Sequence, residues 1–208
     1  MKFSIKTNGL GKRFNREWIF RKLNYSFEGP GLYAITGPNG SGKSTLMQVL
    51  WGQSLPTAGT LQYSAENGEV EVTEVFRHIA IATPYMDLID EFTLDEQLDF
   101  HFKIKTIRTG FTIQDLPDIM YLGSSRNKQI GNFSSGMRQR LKLALAFYTQ
   151  AEVIFLDEPG TNLDKQAFQW YLNQLEKVQP FSLIIIASNN PEEYPGAEVI
   201  NISEWKTN

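Results

Sequence analysis

A chain of 208 residues, 41% of them apolar, has the length of a single domain and enough apolar side chains for a substantial core. A formal net charge of −3 gives no electrostatic reason to expect nucleic-acid binding. The lack of cysteine excludes disulfides and thiolate metal sites and suits a reducing cytosol. The opening MKFSIKTNGLGKRF has no apolar h-region, so no secretory signal is expected. The longest apolar runs, such as LIIIA at 183–187, have strand length and fall far short of a membrane span. Any membrane link is therefore expected to run through a partner.

In chain order, residues 1–28 alternate polar and apolar residues in short runs, which predicts antiparallel strands. GLYAIT at 31–36 reads as a short buried strand entering a Gly-rich loop. Ser44–Trp51 reads as the helix behind that loop, stopped by Gly52. Asn67-Gly68 between β-leaning runs predicts a hairpin. Residues 93–150 are largely helical in pattern, punctuated by Gly110, Pro117 and Gly123. Within them Leu141, Ala144, Leu145 and Tyr148 fall at helical spacing. VIFLD (153–157) and LIIIAS (183–188) read as buried strands around a helix near Lys165–Val178. Strands alternating with helices predict an α/β fold with a mostly parallel core sheet. An antiparallel β region precedes it, and the helical block is an insertion.

GPNGSGKST at 37–45 fits the phosphate-cradle pattern G-x-x-x-x-G-K-[ST], with Gly37, Gly42, Lys43 and Ser44 in register. Glycines let successive backbone N–H groups converge on phosphate oxygens. Pro38, Asn39, Gly40, Ser41 and Thr45 complete the loop. Lys43 brings a positive charge to the outer phosphates, and the Ser44 hydroxyl is a candidate Mg²⁺ ligand. VIFLDEP at 153–159 places Asp157 at the C-terminal end of a buried strand, where open α/β sheets keep their ligands. Asp157 is the second metal candidate, and Glu158 is the candidate base for an attacking water. FSSGMRQRLKLALAF at 133–147 is a Ser/Gly knot opening a second helix, and so a second end attractive to an anion.

Taken in order, GPNGSGKST, FSSGMRQRLKLALAF and VIFLDEPGTNLD resemble the ATP-binding subunit of an ABC transporter, and the likeness covers essentially the whole chain. The resemblance implies a P-loop NTPase core of RecA type over about 1–85 and 151–208, with a helical subdomain over about 86–150. It implies ATP and Mg²⁺ as ligands, and two copies, or this chain with a related subunit, paired head to tail. On that pattern Ser134, Ser135 and Gly136 cap the γ-phosphate held by the other protomer's cradle. Phe14 matches the aromatic that stacks on adenine, with Trp18 as an alternative, and Asp164 of GTNLD lies in the loop that meets the opposing protomer. Met86–Thr93 falls where the family docks a transmembrane permease. The implied location is cytoplasmic, peripheral on the inner face of the cell membrane through that permease.

Three positions depart from the family pattern. Met137 stands where a Gln usually closes the signature, Tyr85 where a Gln touches Mg²⁺ and water, and Asn189 where a His reads the γ-phosphate. Asn189 remains a candidate γ-phosphate donor without an imidazole's charge. His78 and His101 lie outside that position and read as surface or packing residues. The expected function is slow ATP hydrolysis coupled to transport. The alternatives are a regulatory module that binds nucleotide and hardly turns over, and, more remotely, a small-molecule kinase.

Overall fold

A computed structural model describes residues 3–206; the outermost positions of the expected 1–208 cassette, 1–2 and 207–208, lie outside the described residues. The N-terminal alternation folds into β1 (Ser4–Phe14) and β2 (Glu17–Glu28). Next come β3 (Gly31–Thr36), α1 (Lys43–Leu50), β4 (Ala58–Ala65), β5 (Gly68–Val70) and β6 (Ile79–Ala82). The helical segment holds α2 (Leu94–Ile104), the single turn α3 (Leu116–Ile119) and α4 (Ser135–Tyr148). Then follow β7 (Val153–Asp157), α5 (Lys165–Val178), β8 (Leu183–Ala187) and β9 (Glu198–Asn201).

The strands form an antiparallel sheet in the order β2-β1-β4-β5 and a parallel sheet in the order β6-β7-β8-β3-β9. The hairpin between β4 and β5 sits one residue earlier than its sequence signal: Glu66 and Asn67 form the turn, and Gly68 already pairs with Ala65. The inner strands β3, β7 and β8 are almost continuously apolar because both faces are covered, whereas the edge strand β9 is mostly exposed. Val153, Phe155 and Ile185 pack toward α1 and the antiparallel sheet, whereas Ile154, Leu156, Ile184 and Ile186 pack toward α4 and α5. α4 lies on β6 and β7, so the helical segment shares a core with the sheet. Thr93 caps α2 through a reciprocal capping box with Glu96.

Both histidines serve packing. His78 lies 3.4 Å from a Glu152 carboxylate oxygen. His101 on α2 is bonded through Nε2 to the Thr149 hydroxyl at 2.9 Å, and that hydroxyl donates to the Leu145 carbonyl. The hydroxyl therefore accepts, and the ring is the neutral Nε2–H tautomer. Burial, with a smaller contribution from the Lys105 ammonium, holds the His101 pKa down to about 4. A depressed base favours folding while neutral, so its contribution is full above about pH 6.5 and is lost as pH falls toward 4. We expect thermal stability to drop over that window by up to about 3 kcal/mol. His101→Gln should flatten the profile there, as read by melting at stepped pH.

Candidate nucleotide-binding site

β3 ends at Thr36 and hands the chain to the loop 37–42, which α1 leaves behind. The loop turns through a Ser41 N–H bond to the Pro38 carbonyl at 3.0 Å. Gly42, the N-cap of α1, has φ +103, where side chains are strained, and gives the helix no side-chain cap. A Cβ there would sit 2.2 Å from Ile19 Cγ2. The first-turn N–H groups of α1 are thus left to an external acceptor. Two further features fit a phosphate. The Ser41 hydroxyl is buried without a partner. The Lys43 ammonium, in a residue 6% exposed, rests on the Gly37 carbonyl at 2.8 Å and the Pro38 carbonyl at 3.4 Å.

β7 ends at Asp157, and Glu158 follows it directly at the same end of the sheet. Asp157 is buried beside the Ser44 hydroxyl. Burial raises its pKa, the Ser44 hydrogen bond and Lys43 lower it, and Glu158 raises it. A buried carboxylate and a hydroxyl suit a hard cation shared with phosphate oxygens. Among the described residues no group of three acidic or imidazole side chains forms a separate metal cluster. Glu158 is exposed and left-handed at φ +47, a conformation costing a non-glycine residue on the order of 1–2 kcal/mol. Its N–H donates to Ala187 O at 2.9 Å, and Gln139 of α4 donates to Glu158 O at 3.5 Å and Pro159 O at 2.9 Å.

The turn after β8 places Asn189 on the cradle: its side-chain oxygen accepts from the Gly37 N–H at 3.1 Å, and its amide lies 3.4 Å from Asn39 Oδ1. Tyr85 is 79% exposed at the rim of a cleft of about 740 Å³ that reaches inward to Asp157. At the start of α4, Ser134 caps Met137 N–H at 3.2 Å, and both Ser134 and Ser135 are exposed. Gly136 is half-buried, and a Cβ there would sit 2.7 Å from Asn162 O. Met137 packs on the core, which accounts for an apolar residue there. Asp164 caps α5 through the Ala167 N–H at 2.8 Å.

The two candidate stackers differ in availability. Trp18 packs against Gly11 and lies within cation–π distance of Arg13 and Arg21, at 5.3 and 4.9 Å. Phe14 is 49% exposed, with the Lys12 ammonium 5.1 Å from its ring. The structure thus gathers Gly37–Thr45, Asp157, Glu158 and Asn189 at one end of the parallel sheet, while the hydrogen bonds of Ser134 stay within its own helix. Sequence reasoning missed Gln139, two positions past Met137, whose role depends on which carbonyls α4 crosses. It also missed Arg138 and Lys142, which tie α4 to the 83–90 loop through Asp90 Oδ1 at 2.8 Å and Pro84 O at 2.8 Å.

Residues 20–161 match the family described as "ABC transporter". Among curated proteins the chain is similar to the uncharacterized ABC transporter ATP-binding protein YcbN of Bacillus subtilis, 30% identical over 79% of this chain and 53% of that protein. It is also similar to the bacitracin transport ATP-binding protein BcrA of Bacillus licheniformis, 32% identical over 77% of this chain and 52% of that one. The chain spans about half the length of these relatives. Among solved structures, the dimeric bacterial ABC transporter cassette MJ0796 aligns with a TM-score of 0.79 at 18% identity, over 95% of this chain and 94% of that one. Motif order, cradle, paired acidic strand and fold agree with the match: the chain belongs to the ABC transporter family, as one of its ATP-binding cassettes.

Proposed function

We propose that this cassette hydrolyses ATP to power a separately encoded membrane permease, and that two cassettes close around two ATP molecules. The observation that carries this reading is the division of the phosphate-binding groups. The cradle, Ser44, Asp157 and Glu158 share one end of the sheet, whereas Ser134 caps its own helix and, like Ser135 beside it, is exposed. A second copy, or a related subunit, supplies its Ser134–Gly136 end to this cradle. Mg²⁺ bound with the triphosphate supplies charge neutralisation, and Ser44 and Asp157 are the residues to hold it. Lys43 turns from the loop carbonyls to the outer phosphates. Glu158 accepts the proton of a water whose oxygen attacks the γ-phosphorus as the bond to the β,γ-bridging oxygen breaks. Phe14 takes the adenine face.

The permease docks at Met86–Thr93, where Asp87, Asp90 and Glu91 are exposed and Leu88 anchors the loop. The Asp90–Arg138 pair and the Lys142 bonds carry movement of that loop to α4. No helix among the described residues is long and apolar enough to cross a membrane, in keeping with a peripheral place on the cytoplasmic face through the permease. A second reading, a regulatory or scaffolding subunit with little hydrolysis, is favoured by two observations: Asn189 spends its side-chain oxygen on the Gly37 N–H, and Tyr85 has no side-chain amide. Phosphate release from Mg·ATP by the purified chain separates the two. Release well above that of protein-free Mg·ATP supports the ATPase, and release no greater than that supports the regulator.

A further inference from the structure

Between Asp157 at the end of β7 and the start of α5 runs the loop 158–164, with two non-glycine residues in left-handed space, Glu158 at φ +47 and Asn162 at φ +63. A loop strained twice relaxes unless its surroundings over-determine it. Its ends are secured: Gln139 holds the Pro159 carbonyl, and Asp164 caps α5. Its middle, Gly160, meets a side chain from a distant part of the chain. A Cβ on Gly160 would sit 2.4 Å from Glu193 Oε1 and 2.9 Å from the Phe168 ring.

Glu193 is 6% exposed and closes the short 3-10 turn Pro191–Glu193 after β8. The fully buried Tyr171 of α5 donates its hydroxyl to the Glu193 carbonyl at 2.6 Å, so the backbone carrying the acid is pinned. Burial raises the Glu193 pKa most, hydrogen bonding from the Ser188 side chain, the Gly160 N–H and the Asn190 side chain lowers it, and the Glu158 charge raises it. The other Glu193 oxygen, Oε2, is buried with no partner. A buried acid with an unpaired oxygen and no cation facing it is costly to keep. Such a cost is tolerated at sites under functional constraint.

We propose that Glu193 is a positioning residue for the 158–164 loop, holding the Gly160 turn so that Glu158 points at the cradle and Asn162 stays against the start of α4. The catalytic part of this role rests on the ATPase reading above; the structural part does not. The adjoining residue Asn189 reaches Gly37 through its own side chain, so the cradle contact does not depend on the Glu193 carboxylate.

Amide hydrogen exchange on the nucleotide-free protein tests it without need of turnover. Glu193→Ala is expected to speed exchange at Gly160–Leu163 about tenfold or more while leaving Gly37–Ser44 within twofold. The same variant should lower kcat for ATP about tenfold with KM held within twofold. Glu193→Gln, which keeps one acceptor oxygen, is expected to recover most of both. Should Glu193→Ala not fold, Gly160→Ala, which drives the carboxylate away by contact, is expected to show the same pattern. Unchanged loop exchange overturns the proposal, as does faster exchange spread evenly over β7, β8 and α5. Faster loop exchange in a protein whose parent hydrolyses no ATP upholds the positioning role and overturns the ATPase reading alone.

Discussion

Glu158→Gln is expected to bind ATP with near-native affinity, to release phosphate about two to three orders of magnitude more slowly, and to accumulate as an ATP-loaded dimer. The physical reason lies in the division of labour at the end of β7. On the proposed reading Asp157, buried beside Ser44, serves cation binding. Glu158 is exposed, and its aim is set by its left-handed backbone and by Gln139 and Ala187 rather than by its own side chain. Exchanging carboxylate for amide keeps size and backbone and removes only the proton acceptor, an effect of about 10²–10⁴ in rate for a general base. Single-turnover phosphate release and size-exclusion chromatography with Mg·ATP check the two parts. Turnover equal to the parent would remove Glu158 from the reaction. A variant that stays monomeric in saturating nucleotide would remove the shared site.

Gly42→Ala should weaken nucleotide binding about tenfold or more. Two costs coincide at this position. The backbone at φ +103 is strained for any side chain, on the order of 1–2 kcal/mol even in the milder left-handed region. The new methyl would also stand 2.2 Å from Ile19 Cγ2. The loop can relieve both only by turning its N–H groups away from the phosphate position, and about 1.4 kcal/mol is a tenfold change in affinity. Titration with a fluorescent ATP analogue reads the loss. Adding Ile19→Ala removes the contact but leaves the dihedral, so only part of the affinity should return. Full recovery would assign the whole effect to crowding, and affinity within twofold of the parent would refute the expectation.

Much of the site was readable without coordinates because its chemistry is local. A phosphate cradle needs glycines, a lysine and a hydroxyl within one turn of chain, and the strand that ends at Asp157 announces itself by four apolar residues in a row. What a linear reading could not reach are contacts between distant segments. Phe14 and Trp18 lie on neighbouring strands with similar credentials, and only the packing of Trp18 against Gly11 and its two arginine neighbours separates them. His101 gave no hint of its neutral state, which burial imposes, or of its tautomer, which depends on Thr149, 48 residues away. Glu193 follows another acid in an ordinary turn, and nothing in Pro191-Glu192-Glu193 marks which of the two is buried.

By itself, then, the order of amino acids determined the family pattern, the cradle and the alternation of strands and helices, since each depends on neighbours within a few residues. The tertiary structure decided which ring stays open, where Asn189 spends its hydrogen bonds and what braces the Glu158 loop. Those outcomes arise where separate strands and helices converge at one end of a sheet, and a carboxylate's neighbours there are set by packing rather than by the residues beside it in the chain.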